Sequence, residues 1–268
     1  MENILYEKKE GIGFMRFNRP EALNSLNDNM VANLVKKLRE AINDEEIKVI
    51  IISSVGDRAF CVGDDLKEMV QNFENIYSGK KGVNDVLEGL IEDLQEFARL
   101  IRNAPKAVIA AVKGYAVGGG CEIALDCDLI IAADNAQFGF PEVTAGMSIT
   151  GGITKLLPLY VGLAKAKELC LTGEFIDAQE AYRIGLVNKV VPLGKEEIAA
   201  EDMARTIMQR GPLSIKAHKS LLNLLIDAEF DTALELEKKT IGVLLTTQDA
   251  REAVNSFVQK RKPEFKGK

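Results

Sequence analysis

The sequence predicts an α/β fold in which a mostly parallel sheet is covered by helices on both faces. Short apolar runs of strand length alternate with segments of helical periodicity over about the first 195 residues, and beyond them the pattern is helical throughout. Continuous apolar runs are typical of parallel strands that are buried on both faces. A chain of 268 residues suffices for one large domain or two small ones. We therefore expect an α/β core over residues 1–195, followed by a helical region over residues 196–268.

Local patterns predict the individual elements. Ser25, followed three residues later by Asp28, resembles a capping box at the start of the first helix. Gly211-Pro212 and Thr246–Asp249 are expected to interrupt the C-terminal helices. Apolar periodicity and composition predict a helix at 30–42, a helical and loop segment at 67–104, a glycine-rich turn at 113–120 and a short helix at 121–127. Strands are predicted at residues 13–17, 49–53, 107–112, 129–133 and 137–143.

Composition disfavours several classes of protein. Lys and Arg total 34 and Asp and Glu total 40, which gives a net charge of −6. A phosphate-binding face usually makes a domain basic, so a dedicated nucleic-acid binder is disfavoured. The single histidine, His218, leaves almost no room for a His-based triad or a multi-His metal site. Any acid–base chemistry therefore falls to Glu, Asp, Lys, Tyr or Cys, and four cysteines without a CxxC pair make no disulfide framework.

Targeting segments are not visible in the sequence. The longest apolar run, Ala107–Val112, is far shorter than the roughly 20 residues of a membrane-spanning helix. The first residues lack the pattern of a secretory signal or of an Arg-rich transit peptide. We therefore expect a cytoplasmic protein that binds neither membrane nor nucleic acid.

Three motifs have residues that could carry chemistry. Ala59–Leu66 places a glycine before a predicted helix, where backbone N–H groups can bind an anion, although a plain strand-to-helix turn has the same composition. Gly114–Glu122 contains three successive glycines, which are tolerated where main chain contacts a ligand or where no side chain fits. Its spacing matches neither a dinucleotide-binding fingerprint nor a P-loop. Glu142 follows Pro141 in apolar surroundings, and it is either a helix-capping charge or a buried acid with a raised pKa.

Together these motifs resemble the crotonase, or enoyl-CoA hydratase/isomerase, superfamily. The resemblance implies a crotonase-like spiral of ββα units with a helical C-terminal region for assembly into homotrimers or homohexamers. It also implies an acyl-CoA thioester as substrate and no further cofactor or metal, because coenzyme A is part of the substrate. The matching segments are Asn18–Leu26, Ala59–Leu66, Gly114–Glu122, Phe138–Glu142, 171–188 and Phe257–Lys262.

The resemblance assigns an oxyanion hole to two backbone N–H groups. In this family two such groups hold the thioester carbonyl, and here they belong to Asp64 and Gly119. The small residues Gly63 and Gly118 would let the thioester reach the backbone. The family often has a small residue at the position of Asp64, but the backbone N–H is independent of the side chain.

The resemblance also assigns two catalytic glutamates, Glu122 and Glu142. Two carboxylates that face one water can act as base and acid, since like charges leave one of them protonated. Glu142 is expected to exchange the proton at Cα of a 2-enoyl-CoA, and Glu122 to hold and activate the water. The division of acid and base roles stays open, and enoyl isomerases of the family commonly keep only the counterpart of Glu142.

Coenzyme A recognition is expected from three places in the chain. The resemblance assigns it to backbone around Ala22 and Leu23 and to residues near the adenine. It also assigns it to two C-terminal residues, often supplied by a neighbouring subunit, of which Lys260 adds positive charge near the phosphates. The residues near the adenine are Arg58, Ala59 and Phe60, and the C-terminal pair is Phe257 and Lys260.

The leading hypothesis is therefore an enoyl-CoA hydratase, with two groups of alternatives. One is isomerisation, or hydration of a cyclic dienoyl-CoA, by a site of the same family. The other is a non-catalytic or RNA-binding relative, which the glutamate pair and the acidic composition disfavour. Residues 144–152 differ from the Pro-Gly-x-Gly-Gly pattern of many hydratases in the family, and the segment 67–104 is longer than in short-chain members. The length of the acyl chain, and whether it is linear, branched or cyclic, therefore stay open.

Overall fold

The structure, a computed structural model, describes residues 2–268, and these residues form two sheets surrounded by helices. The strands are β1 (Ile4–Lys9), β2 (Ile12–Phe17), β3 (Val49–Ser54), β4 (Ala59–Cys61), β5 (Ala107–Val112), β6 (Tyr115–Val117), β7 (Leu129–Ala133), β8 (Gln137–Gly139), β9 (Ile176–Asp177) and β10 (Lys189–Val191). The larger sheet has the order β1-β2-β3-β5-β7-β10, and the smaller one has the order β4-β6-β8-β9. Pairing is parallel except at β1–β2 and β8–β9.

Helices fill the connections and form the C-terminal region. Those up to residue 183 are α1 (Asp28–Asn43), α2 (Leu66–Tyr77), α3 (Val83–Val86), α4 (Glu92–Asn103), α5 (Gly119–Asp126), α6 (Ile153–Val161), α7 (Leu163–Thr172) and α8 (Ala178–Arg183). The later ones are α9 (Glu196–Met208), α10 (Pro212–Leu224), α11 (Phe230–Leu244) and α12 (Gln248–Val258). Short 3₁₀ turns lie at Pro20–Ala22, Pro141–Ala145 and Leu225–Asp227, and a π-helical turn precedes α4 at Leu87–Ile91.

Alternate residues of the larger sheet face two separate hydrophobic cores, as a period of two residues requires. In β3, for example, Ile50 and Ile52 belong to the core beneath α1, α4 and α5, whereas Val49 and Ile51 belong to the core beneath α9. Helix α9 contributes its small residues to that second core, namely Ala199, Ala200 and Ala204. The prediction of a largely parallel sheet covered on both faces is confirmed.

Helix α10 is attached to this core by a buried ion pair. Lys219 Nζ donates to Asp128 Oδ2 at 2.6 Å and to the Lys106 carbonyl at 3.0 Å. The carboxylate of Asp128 also accepts the Val108 N–H at 2.7 Å, so that one group joins α10 to the start of two central strands. The helical pattern predicted beyond residue 195 is confirmed, while a domain boundary at that point stays a prediction. None of the helices within residues 2–268 is long and apolar enough to cross a membrane.

Three local predictions are wrong, the first two because of partners distant in sequence and the third because of a proline within the predicted segment. The N-cap of α1 is Asn27, whose side chain accepts the Met30 N–H at 2.9 Å, and Ser25 instead donates to Asp65 at 3.4 Å. The chain is still extended at Leu26, where it bridges to residue 64. The predicted turn at 113–120 contains strand β6, which pairs with β4 and β8. The strand predicted to reach residue 143 ends at residue 139, since Pro141 begins a 3₁₀ turn.

Candidate active site

The loop between β4 and α2 presents one unpaired backbone N–H group. Gly63 has a left-handed φ of +78°, and its carbonyl accepts the Leu26 N–H at 2.8 Å. The Asp65 N–H donates to the Leu26 carbonyl at 2.7 Å. The Asp64 N–H lies between these two bonds and donates to no acceptor within residues 2–268. The bridge to Leu26 thus fixes the peptide on either side of Asp64 and leaves its N–H free.

The three successive glycines present a second unpaired N–H. Gly118 ends β6 with φ +54° and ψ −131°, so the chain turns sharply into α5. Gly119 is the first residue of α5, where an N–H has no partner within the helix, and it donates to nothing in the described chain. A Cβ on Gly120 would lie 2.1 Å from the Cys61 carbonyl oxygen, so that glycine serves packing. A Cβ on Gly63 would lie 3.1 Å from the Gly119 nitrogen, which places the two loops in contact.

Glu122 is held in the first turn of α5 by three hydrogen bonds. Its side chain accepts the Thr150 N–H at 3.0 Å, the Gly151 N–H at 2.5 Å and the Thr150 hydroxyl at 3.3 Å. A Cβ on Gly151 would lie 2.6 Å from Glu122 Oε2, so a larger residue there would displace the carboxylate. Glu122 is 2% exposed, and this burial raises the pKa of its carboxyl, while the three donors offset part of the rise.

Glu142 lies in the 3₁₀ turn that follows β8, and its surroundings differ from those of Glu122. Both of its carboxylate oxygens are buried, and neither has a hydrogen-bond partner within the described chain. A Cβ on Gly118 would lie 3.3 Å from Glu142 Oε1, so this carboxyl group faces the glycine turn. Burial, followed by the charges of Glu122 and Asp64, raises the pKa of Glu142 to about 7. Of the two alternatives predicted for Glu142, the buried acid fits this position better, because neither oxygen accepts a backbone N–H as a helix cap would.

The side chain of Asp64 brings a third carboxylate to the same place. It is half-buried. Burial, followed by the charges of Glu122, Asp28 and Glu68, raises its pKa to about 6. The structure therefore brings together all four residues predicted to be catalytic, namely Asp64, Gly119, Glu122 and Glu142.

Residues predicted to bind coenzyme A lie in two separate regions. Ala59 and Phe60 are buried in β4, and exposed Arg58 precedes them, its carbonyl accepting the Tyr115 N–H at 3.2 Å. Ala22 ends the first 3₁₀ turn and Leu23 caps it. The next residue, Asn24, donates to the Ala59 carbonyl at 2.9 Å and so joins this turn to β4. These five residues therefore form one group with the loop at Gly63.

Phe257 and Lys260 lie at the end of α12 and are not joined to that group. Phe257 is 86% exposed and Lys260 is exposed as well. Neither side chain forms a hydrogen bond or an ion pair with any residue of the described chain. Their part in coenzyme A binding stays a prediction.

Sequence reasoning missed the residues that hold Glu122. Thr150 and Gly151 lie 28 and 29 residues beyond it, in a segment that the sequence marked only by the pair Gly151-Gly152. Leu26 was also missed, although it lies in a segment that carries the family resemblance. Its backbone bonds to Gly63 and Asp65 and leaves the Asp64 N–H between them unpaired. A glycine pair after an acidic motif is the one signal that could have indicated such an anchor.

The cysteines and the histidine lie outside the group formed by Asp64, Gly119, Glu122 and Glu142. Cys61, Cys121 and Cys127 are buried, Cys170 is half-buried, and all four are free thiols. His218 is exposed, as predicted. Within residues 2–268 no group of three or more His, Cys, Asp or Glu side chains is arranged to hold a metal ion.

Comparison with known proteins identifies the family. The family model for enoyl-CoA hydratase/isomerase matches residues 7–268. A short-chain-enoyl-CoA hydratase from Clostridium acetobutylicum is 37% identical over 264 residues, which is 98% of this chain and 97% of the relative. A crotonyl-CoA hydratase from Syntrophomonas wolfei is 38% identical over 266 residues, with 98% of each chain covered. The crystal structure of an enoyl-CoA hydratase from Bacillus anthracis superimposes with a TM-score of 0.91 at 32% identity over 100% of both chains. The chain is thus an enzyme with the crotonase fold, and it belongs to the enoyl-CoA hydratase/isomerase family.

Proposed function

We propose that this enzyme hydrates 2-enoyl-CoA thioesters, adding water across the 2,3 double bond. The observation that carries the proposal is the pair of buried glutamates in unlike surroundings, next to two unpaired backbone N–H groups. Glu122 accepts three hydrogen bonds, whereas Glu142 accepts none within residues 2–268. Relatives named as hydratases over nearly the whole chain length support the same reaction.

The two N–H groups would bind the thioester carbonyl oxygen. Adding hydroxide at Cβ places negative charge on that oxygen, because the electrons of the double bond form an enolate. The N–H groups of Asp64 and Gly119 are fixed by the Leu26 bridge and by the start of α5, so they need no reorganisation to stabilise the enolate. Removing one such donor costs about 2.7–4 kcal/mol of transition-state stabilisation in other enzymes.

The surroundings of the glutamates support a division into acid and base. Hydrogen-bond donors favour an ionised carboxylate, and burial without donors favours the neutral acid. Glu122 therefore takes a proton from water as the hydroxyl oxygen bonds to Cβ. Glu142, with a pKa raised to about 7, gives its proton to Cα as the enolate collapses. One proton is accepted and one is given, so a proton transfer between the two groups restores the site.

The proposal includes assembly into a homotrimer or a pair of trimers. Helices α11 and α12 and the residue that follows α11 leave a group of large apolar side chains exposed. Monomeric proteins rarely expose so many neighbouring apolar side chains. The exposed side chains are Phe230, Leu234, Ile241, Val243, Leu245, Val254, Phe257 and Val258. Contact between subunits would cover these side chains and would bring Phe257 and Lys260 to the coenzyme A of a neighbouring subunit.

We also propose that the reaction takes place in the cytoplasm and needs no cofactor. The four free thiols are typical of proteins from reducing compartments. Coenzyme A would enter as part of the substrate, and the proton transfers need only the two glutamates. Arg58, exposed beside β4, and Lys260 are the basic residues we propose for the nucleotide part.

The test compares Glu122→Gln, Glu142→Gln and a distant control, Glu45→Gln, in the hydration of crotonyl-CoA. General acid–base catalysis contributes ~10²–10⁴-fold, so each glutamine in the site should lower kcat by at least ~10²-fold. The exposed Glu45 at the end of α1 makes no side-chain hydrogen bond, and its variant should match the wild type. A wild-type rate in Glu122→Gln would contradict the two-glutamate mechanism.

A second assay separates hydration from double-bond isomerisation. Moving a double bond needs one base that transfers a proton between carbons, so isomerisation of a 3-enoyl-CoA should survive Glu122→Gln better than hydration does. Glu142→Gln should stop both reactions. A wild-type enzyme that isomerises efficiently and hydrates none of the enoyl thioesters would replace the proposed reaction by isomerisation.

A further inference from the structure

The side chain of Asp64 lies at the proposed carbonyl site without a partner. Its backbone N–H is one of the two proposed oxyanion donors, so the carboxylate is joined to the same residue. Its Oδ1 lies 3.6 Å from the point that a Cβ on Gly119 would occupy. Within residues 2–268 the carboxylate accepts no hydrogen bond and forms no ion pair. A substrate bound between the two N–H groups therefore comes close to this carboxylate.

The charged groups that face Asp64 are acidic on every element packed around it. Glu122 faces it from α5, Asp28 from the start of α1 and Glu68 from α2. Glu142 faces it from the 3₁₀ turn after β8, since the charge of Asp64 raises the pKa of Glu142. All these groups are carboxyl groups, so those that are ionised add negative charge and none neutralises another.

Arg19, a cation near this group, is already paired. Arg19 donates to Asp65 Oδ2 at 2.8 Å and to the Ser25 carbonyl at 2.6 Å. Within the described chain no lysine or arginine lies within ion-pair distance of Asp64, Glu122 or Glu142. A carboxylate that entered this site would find repulsion and no partner.

A cavity of about 610 Å³ with basic side chains lies beyond the segment that anchors Glu122, and it does not change this balance. Thr150 and Gly151 line it, whereas Glu122, Glu142 and Asp64 do not. Its four basic residues all have partners: Lys219 binds Asp128, Arg102 the Asn223 carbonyl, Lys155 Asp227, and Arg99 both Glu96 and Gln95.

We propose that Asp64 is a specificity-determining residue that restricts this site to enoyl groups without a negative charge. The inference rests on the proposed hydration, and it names the class of acyl group that the site takes. A carboxylate at the far end of a short acyl chain is repelled by Asp64 and by its acidic neighbours, because half-buried charges are screened less than charges in bulk water. Uncharged acyl groups, whether linear or branched, do not meet this repulsion.

The discrimination between charged and uncharged acyl groups should increase with pH, because Asp64 ionises as the pH rises. Its pKa of about 6 makes the side chain neutral at pH 5 and ionised at pH 7.5. A terminal carboxyl of the substrate has an ordinary pKa near 4.3 and stays ionised over most of this range. Repulsion therefore grows as the pH rises through about 6. Titration of Glu142, near pH 7, remains when Asp64 is replaced.

The test compares two thioesters of equal chain length, hex-2-enoyl-CoA and the mono-CoA thioester of hex-2-enedioic acid. The measured quantity is the ratio of kcat/KM for the uncharged thioester to that for the charged one. For the wild type we expect this ratio to be about tenfold higher at pH 7.5 than at pH 5. Asp64→Asn and Asp64→Ala keep the backbone N–H and should remove the step near pH 6, lowering the ratio at pH 7.5 by about tenfold. The control Glu45→Gln, which removes one negative charge far from the site, should keep the wild-type ratio.

The outcomes separate this inference from the proposed function. Hydration of both thioesters with equal kcat/KM, or a ratio unchanged in either Asp64 variant, would overturn the role of Asp64 and leave the hydratase reaction standing. Failure of the wild type to hydrate either thioester would instead contradict the proposed function. Because the two variants differ in hydrogen bonding, an effect of charge must appear in both of them.

Discussion

The carboxyl group of Glu142 lowers the free energy of unfolding at high pH because of its buried position. Its pKa is raised to about 7 in the folded protein, above the ordinary value of 4.5. The folded state therefore binds this proton more tightly than the unfolded state does. Stability from this group is present below about pH 4.5 and is lost as the pH rises through 7. Above that pH an ionised carboxylate is buried without a hydrogen bond from the described chain.

Glu142→Gln should consequently stabilise the fold at high pH. Glutamine has the same shape and no charge, so the free energy of unfolding should rise by about 2 kcal/mol at pH 8, with little change at pH 5. Part of the full shift is discounted because the residue is only half-buried. Urea unfolding at the two pH values measures the difference, with Glu45→Gln as the control. An equal effect at pH 5 and pH 8 would show that the carboxyl is not titrating as described.

The same residue shows how far sequence reasoning reached at the scale of side chains. The motif placed Glu142 after Pro141 in apolar surroundings and left a capping charge and a buried acid as alternatives. Choosing between them requires the position of Gly118, 24 residues away, and the absence of donors around both oxygens in residues 2–268. Hydrogen-bond partners depend on the packing of distant segments, so a local pattern does not determine them.

Among the elements, the start of α1 allows a direct comparison of the cap that the local sequence predicts with the cap that the folded structure has. The sequence pattern favours Ser25 as the cap, whereas the structure has Asn27 accepting the Met30 N–H. Asn27→Ala should lower the free energy of unfolding by about 1 kcal/mol, since it removes the partner of an otherwise unpaired helical N–H. Ser25→Ala, which loses only a 3.4 Å contact to Asp65, should cost less. Chemical unfolding of both variants measures this, and a larger loss for Ser25→Ala would favour the capping box.

The elements that sequence predicted well are those whose pattern is strong over their own length. Strands at residues 107–112 and 129–133 match β5 and β7 residue for residue, because their apolar runs are bounded by polar residues. Strand β6 was missed because it has only three residues, one of them the exposed Tyr115. It exists through pairing with β4 and β8, which lie on either side of it in the sheet.

For the whole molecule, the exposed apolar faces of α11 and α12 predict assembly. Light scattering at micromolar concentration should give the mass of a trimer or of two trimers. Leu245→Asp places a charge on a side chain that is 71% exposed in the single chain, so it should shift the protein towards monomers. The matched control is Ile198→Asp on α9, where the side chain is 51% exposed and outside the proposed interface. A wild-type monomer under these conditions would contradict the proposed assembly.

The sequence by itself determined the α/β class, the helical C-terminal region and the two acidic positions, Glu122 and Glu142. The class and the helical region follow from apolar periodicity, which is a property of neighbouring residues, and the acidic pair follows from the family resemblance. Only the tertiary structure decided how these positions differ: Thr150 and Gly151 bind one carboxylate, and no group within residues 2–268 binds the other. A carboxyl group takes its pKa from burial and from nearby charges and donors. Those surroundings come from segments far apart in the chain, so they exist only once it has folded.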